Sequence, residues 1–349
     1  MEHKIGLIGC GTVGRGLLEI LTQKAAALKD AYGFEAKVVA ISDKILGSLL
    51  VPEGIDIPAL LKVLEGGGKM DDYFQGKPNP ARSLDPLEMI ERSEADIIAE
   101  MSYTDIKTGE PATGYIRKAL RLGKHVVTSN KGPAALYYAE LKKAAQQAKV
   151  YFGIEGTVMS GTPVFNLARA GFAGNDFREI KGILNGTTNF ILSKMEEEGM
   201  EYAQALALAQ KLGYAEADPT ADVEGVDALA KIVILSNVLM GGEVKTSDVA
   251  REGISKITRP DVEQAKKAGY RFKLIAQARK ENGRVTASVS PQKLPLSDPL
   301  TGVMGAQNAL TFDLDLLGKV TIQGPGAGKI PTGYSILADI LAAALGVRC

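Results

Sequence analysis

Gly6-Leu7-Ile8-Gly9-Cys10-Gly11-Thr12-Val13-Gly14 stands at the head of the chain, and its reading decides the fold. The apolar run from Lys4 to Ile8 ends in glycines and reads as a buried strand. From Thr12 to about Leu28 the apolar residues Val13, Leu17, Leu18, Ile20 and Leu21 fall at helical spacing. Between the two lies G-x-G-x-x-G, formed by Gly9, Gly11 and Gly14. The first glycine permits a tight turn, the second lets a pyrophosphate approach the backbone, and the third lets the helix pack on the strand. The helix N-terminus then faces the phosphates. This strand–turn–helix predicts a dinucleotide-binding domain.

Outward from that stretch, Lys37–Ile41 reads as a second strand that ends at Ser42-Asp43. An acid there can accept hydrogen bonds from the adenosine ribose of NAD, whereas the adjacent Lys44 would meet a 2′-phosphate, so Asp43 and Lys44 leave NAD and NADP both open. Gly47–Pro80 is rich in Gly and Pro and reads as an irregular excursion with a short helix near Pro58–Leu64. Strands at Ala95–Ala99, His125–Thr128 and Val150–Ile154 then alternate with helices at Ala112–Leu122 and Ala134–Ala148. That alternation predicts a parallel α/β sheet.

After about Gly156 the pattern becomes α+β. A strand at Phe177–Leu184 is followed by helices near Thr188–Glu198, Tyr202–Leu212 and Val223–Met240. Arg271–Lys280 and Arg284–Ser290 flank the hairpin signal Glu281-Asn282-Gly283, and Ala309–Leu314 and Lys319–Ile322 add two strands. Ser335–Leu345 is a last apolar helix. The expected division is a Rossmann-type domain at 1–155, an α+β substrate and dimerisation domain at 156–324, and a tail helix at 325–349 that returns to the first domain. The open sheet of the second domain is expected to present an apolar face on which two copies pair.

The 349 residues suggest about two domains. Lys plus Arg and Asp plus Glu are both 41, and no charge run points to nucleic acid or a membrane surface. The most apolar stretch, Leu229–Met240, is too short to span a bilayer and contains Lys231. No signal-peptide core precedes the first strand, and the two cysteines, Cys10 and Cys349, lie at opposite ends. A cytoplasmic location is expected, and an intersubunit disulfide through Cys349 stays open.

The segment Gly213–Lys231 carries the chemistry. Asp218-Pro219 breaks any preceding helix. On the following helix Asp227 and Lys231 are four apart and share a face with Ile234 and Val238. With no solvated face the helix is expected to be buried, and a buried lysine needs a partner and is often functional. Glu216 precedes this helix and is a candidate for the same pocket. Lys131, in Thr128-Ser129-Asn130-Lys131, follows a parallel strand at the end where open α/β sheets bind ligands, and is a candidate to approach both cofactor and substrate.

The chain resembles homoserine dehydrogenases. The likeness is carried by GLIGCGTVG, VVTSNKG, EGTVMSGTP, GILNGTTNFIL, GYAEADPTADVEGVDALAK and GPGAGKIPT, which cover nearly the whole chain in order. The resemblance implies interconversion of L-homoserine and L-aspartate 4-semialdehyde with NAD or NADP, within threonine, methionine and isoleucine biosynthesis. It implies that Lys231 transfers the proton at the substrate oxygen and that Lys131 orients or protonates the same group. Glu216 and Asp227 would bind the substrate, with Asp222 and Asp218 as weaker candidates. Thr12, Val13, Ser102 and Gly326 fall where the family contacts the cofactor. Glu155, by its carboxylate, and Val158, Ser160 and Thr162, by their carbonyls, match the family's monovalent-cation loop and would suit Na⁺. A homodimer and a short form without ACT or aspartokinase domains are also expected. The alternatives are another amino-acid dehydrogenase of this architecture, such as one for aspartate, and a non-catalytic dinucleotide-binding regulator.

Overall fold

The structure is a computed structural model that describes residues 1–347 apart from 77, 78, 80 and 83. Cys349, with its proposed disulfide, and the end of the Gly47–Pro80 excursion lie outside the described residues. The chain forms two compact units, one of residues 1–161 with 328–349 and one of residues 162–327. Among the described residues, the strands make two sheets of six. No helix among them is long and apolar enough to cross a membrane.

The first unit holds β1 (Glu2–Ile8), β2 (Glu35–Asp43), β3 (Gly47–Leu50), β4 (Ile97–Glu100), β5 (His125–Thr128) and β6 (Phe152–Gly153), in the order β3-β2-β1-β4-β5-β6. All neighbours are parallel except β2 and β3. The architecture is the expected Rossmann-type sheet. From β2 on one side of β1 the chain crosses to β4 on the other, so the topological switch point lies at the carboxyl ends of β1 and β4. The helix Thr12–Tyr32 buries Leu17, Leu18, Leu21 and Leu28 at helical spacing. The tail helix Lys329–Ala344 adds Ile336, Leu337 and Ile340 to the same core. It starts earlier than the expected Ser335 because Pro331 sits in the first turn, where a missing N–H is tolerated.

Three expectations for this unit are corrected. Gly47–Leu50 is a strand rather than irregular, because Asp43 Oδ1 accepts from the N–H groups of Ile45 and Leu46 at 2.9 Å and folds the chain back on β2. The single helix expected over Ala134–Ala148 is two, Lys131–Leu136 and Tyr138–Ala148. Asn130 caps the first by accepting from Gly132 N–H at 3.1 Å, which brings its start back to Lys131. Strand β6 is shorter than Val150–Ile154 because Tyr151 N–H turns aside to His125 Nδ1 at 2.9 Å.

The second unit holds β7 (Phe177–Ile183), β8 (Ala250–Arg251), β9 (Tyr270–Glu281), β10 (Arg284–Pro295), β11 (Gln307–Leu314) and β12 (Gly318–Pro325), in the order β12-β11-β7-β9-β10-β8. The β9–β10 hairpin closes on the expected Glu281-Asn282-Gly283 turn. The helix expected over Val223–Met240 is instead one turn, Thr220–Val223, and a separate helix, Val226–Leu239. Gly225 lies between them at φ 74, a left-handed conformation that glycine adopts without steric cost and that ends the first turn.

Neither face of this sheet is apolar and open throughout among the described residues. Ile180, Ala278, Leu310 and Phe312 share one face and are buried. On the opposite face Glu179 pairs with Arg279, Asp313 with Lys319, and Thr311 with Thr321. On the same face as these charges and hydroxyls, Ile183, Ile275 and Ala309 are buried together with Leu300 and Val303, so that face is polar at one end and apolar but covered at the other. Lys273 of β9 is fully enclosed: its amine donates to Asn189 Oδ1 at 2.8 Å and to the Val303 carbonyl, and burial pushes it down to about 7.

Candidate active site

In the first unit, Gly9 has φ 90, and a Cβ there would lie 2.5 Å from the Met101 carbonyl oxygen. A Cβ on Gly14 would lie 2.7 Å from the Gly9 carbonyl oxygen. Both glycines are thus required by the fold itself. Gly11 differs: its φ is −74, and a Cβ there would meet nothing within 4 Å. Its lack of a side chain keeps open the space in front of a helix that has no side-chain cap, where orphan N–H groups await an anion. Thr12 is exposed and Val13 half-buried beside it.

Asp43 ties this loop to β2. Its Oδ2 accepts from Cys10 N–H at 2.8 Å while Oδ1 holds the β2–β3 turn. A carboxylate offers about four acceptor sites, so room for a ribose hydroxyl is left. Lys44 is exposed next to it. Burial, with the Asp43 charge adding to it, pushes the Cys10 thiol up to about 12, so it stays protonated at neutral pH.

At the ends of β4 and β5 lies a network that the sequence reading passed over. Glu100 is fully buried, and burial raises its carboxyl above the usual range. Its Oε1 accepts from Ser102 N–H at 2.9 Å and from the Ser102 hydroxyl, and its Oε2 accepts from the Thr128 hydroxyl at 2.8 Å. Thr128 Oγ1 accepts in turn from Asn130 N–H at 2.9 Å. Asn130 then caps the helix whose first residue is Lys131. One buried acid therefore roots both the Ser102 turn and the Lys131 helix. The sequence signal was an acid ending an otherwise apolar strand.

The Glu155–Thr157 turn is buried, with Glu155 N–H donating to Asp339 Oδ2 at 2.7 Å. Val158 is extended, Met159 has φ 48, and Ser160 is nearly buried. Thr162 falls in the second unit, where its hydroxyl donates to the Pro325 carbonyl at 3.2 Å. Among the described residues no group of three or more His, Cys, Asp or Glu could hold a metal ion. One carboxylate with backbone carbonyls is a different donor set, of the kind a hard cation takes.

In the second unit the chemistry centres on Lys231, which is only 7% exposed on the helix Val226–Leu239. Its Nζ donates to the Leu184 carbonyl at 2.6 Å and to Asp227 Oδ2 at 2.7 Å. An ammonium has three donors, so this geometry fixes two and directs a third. Asn185 Nδ2 donates to Asp227 Oδ2 at 3.0 Å and to Asp222 Oδ1 at 2.7 Å. The Thr187 hydroxyl donates to Asp222 Oδ2 at 3.2 Å. Burial and the Asp227 charge raise the Asp222 carboxyl above its usual range. Asn185 also accepts from Thr188 N–H at 2.9 Å and so caps the helix Gly186–Glu197. Asn185 and Thr187, both in GILNGTTNFIL, received no role from the sequence.

The structure thus joins Lys231, Asp227 and Asp222 in one network. Glu216 is exposed, and its backbone carbonyl accepts from Gln210 at 3.1 Å; its carboxylate is not part of that network among the described residues. Asp218 is exposed and caps a turn, accepting from Thr220 N–H at 3.1 Å. Gly326 backs onto Asn308, since a Cβ there would lie 2.4 Å from the Asn308 amide. The glycine loop, Ser102 and Lys131 belong to the first unit, and Lys231, Asp222, Asp227, Glu216 and Gly326 to the second.

Comparison with known proteins bears on both units. The family model for the NAD-binding domain of homoserine dehydrogenase matches residues 9–155, and the homoserine dehydrogenase model matches residues 163–341. The NAD(+)-dependent homoserine dehydrogenase of Pseudomonas canavaninivorans is 44% identical, over 97% of this chain and 96% of its own. The homoserine dehydrogenase of Methanocaldococcus jannaschii is 41% identical, over 96% of each chain. A putative homoserine dehydrogenase from Archaeoglobus fulgidus superposes with a TM-score of 0.86 at 36% identity, covering 97% of this chain and 98% of that one. A hyperthermophilic archaeal homoserine dehydrogenase in complex with NADPH gives 0.85 at 31% identity, covering 100% and 99%.

Proposed function

The chain belongs to the homoserine dehydrogenase family, and from that premise we propose how its residues carry the reaction. It is an NAD(P)-dependent oxidoreductase acting on a CH–OH group. It interconverts L-homoserine and L-aspartate 4-semialdehyde. The nicotinamide supplies the hydride exchange when bound.

The single observation that carries the reading is Lys231: a buried ammonium with two donors fixed on Leu184 and Asp227. As the aldehyde is reduced its oxygen develops alkoxide charge. Lys231 stabilises that charge and gives the proton, and in the reverse direction takes it. Lys131, at the start of a helix rooted on Glu100, orients the same oxygen. Asp227 and Asp222, bridged by Asn185, hold the substrate ammonium, with Glu216 as a further acid for it. Gly9, Gly11, Thr12, Val13, Gly14 and Ser102 line the dinucleotide, Asp43 takes its adenosine ribose, and Lys44 a 2′-phosphate where one is present. Gly326 is a further candidate for the cofactor.

Glu155, with the carbonyls of Val158, Ser160 and Thr162, fits a monovalent cation such as Na⁺. We place the protein as a cytoplasmic homodimer in threonine and methionine biosynthesis, with residues 1–155 and the tail 325–349 binding the cofactor and 156–324 binding the substrate and the second copy. The test is nucleotide reduction by the purified protein with L-homoserine, and separately with L-aspartate, under NAD and under NADP. Reduction that depends on homoserine supports the reading. Reduction with aspartate alone, or nucleotide binding without turnover of either, overturns it.

A further inference from the structure

Tyr103 is 87% exposed, although the backbone that carries it is tightly held. Asn130 Nδ2 donates to the Tyr103 carbonyl at 3.1 Å, and the preceding Ser102 N–H is bonded to buried Glu100 at 2.9 Å. Burying an aromatic ring is favourable, and among the described residues no aromatic or cationic group stacks on this one. The position is also particular. Tyr103 follows β4, and the missing Cβ of Gly9 would lie only 3.0 Å from Ser102 N, so the β4 turn abuts the glycine loop after β1. These two carboxyl ends frame the switch point at which an open α/β sheet binds its ligand. Asp43, the adenosine end, lies on β2, on the other side of β1. The β4 side therefore receives the nicotinamide half.

Resting on the reading of this unit as the cofactor domain, we propose that the Tyr103 ring is a wall of the dinucleotide crevice. It packs against the nicotinamide half of the bound cofactor, with Glu100 and Asn130 holding its backbone in place. The ring, not the hydroxyl, makes the contact.

The test is fluorescence titration of NADH and NADPH into the wild type, Tyr103→Ala and Tyr103→Phe, with ADP-ribose, which lacks nicotinamide, as a competing probe. Tyr103→Ala should weaken the reduced nucleotides about tenfold, the scale of one lost ring contact, and leave ADP-ribose unchanged. Tyr103→Phe should bind as the wild type does. Because the side chain is exposed, both variants should fold. Unchanged affinity in Tyr103→Ala, an equal loss for ADP-ribose, or a loss in Tyr103→Phe matching that in Tyr103→Ala would overturn the proposal. Binding is read without homoserine, so a wild type that binds nucleotide but fails to oxidise homoserine would overturn the proposed reaction and leave this test standing.

Discussion

Replacing Lys231 with Met removes the ammonium but keeps most of the volume. The loss withdraws two donors, at 2.6 Å from the Leu184 carbonyl and 2.7 Å from Asp227 Oδ2. A buried acceptor left without its donor costs about 1–3 kcal/mol. Asp227 keeps its bond from Asn185, and its side chain is 19% exposed, so water replaces part of the loss there. Met also has no charge to desolvate. The net cost is about 2 kcal/mol, or a melting point about 4–8 °C lower for a unit of this size. The protein therefore stays folded at an ordinary assay temperature. The rate should nevertheless fall by about 10²–10⁴, the range of general acid–base catalysis. Nucleotide affinity should not change, because the role proposed for Lys231 is at the substrate oxygen and not on the dinucleotide. Lys231→Arg separates charge from proton transfer: it restores a cation that does not give up its proton in proteins, so the rate should stay low. Melting curves, kcat and nucleotide titration together decide the matter. A kcat for Lys231→Met within about tenfold of the wild type would refute the proton-transfer role.

Asn185→Ala removes a helix cap and the donor shared by Asp222 and Asp227, and should cost about 3 kcal/mol with a raised KM for homoserine; a KM like the wild type's would show that the bridge does not serve the substrate. Glu100→Leu strands the Ser102 N–H and the Thr128 hydroxyl and should lower stability by about 3 kcal/mol, whereas Glu100→Gln keeps an acceptor and should cost less than half of that in chemical denaturation; equal losses would mean that the acid's contacts are irrelevant. Lys273 ionises at about 7 when folded against a reference of 10.5, so the unfolded chain holds more protons between those values. Stability of the second unit should therefore rise with pH across that window and level off at its lowest below about 7; Lys273→Met should lose this slope in thermal unfolding, and a slope equal to the wild type's would contradict the assignment.

The sequence made the first unit legible because each of its signals is local. A strand, three glycines and an amphipathic helix within 32 residues leave few alternatives. The i,i+4 spacing of Asp227 and Lys231 was equally legible, since one helix contains both. What escaped were features that depend on distant partners. Glu100 acquires its role from Ser102, after β4, and from Thr128 and Asn130, at and after the end of β5. Asn185 bridges two acids some forty residues away. The Gly225 break was hidden by the apolar run around it, since periodicity does not report a single left-handed residue. The mixed character of one sheet face was hidden because Glu179, Lys181, Thr311 and Asp313 share it with Ile183 and Ala309, and alternation alone does not say which part of a face is covered.

The central claim is that this chain moves a hydride from the carbinol carbon of homoserine to nicotinamide. Homoserine deuterated at that carbon, incubated with the protein and oxidised nucleotide, tests it directly by mass spectrometry of the nucleotide. The account predicts reduced nucleotide carrying one deuterium. Unlabelled reduced nucleotide, or none formed while the nucleotide still binds, would contradict it.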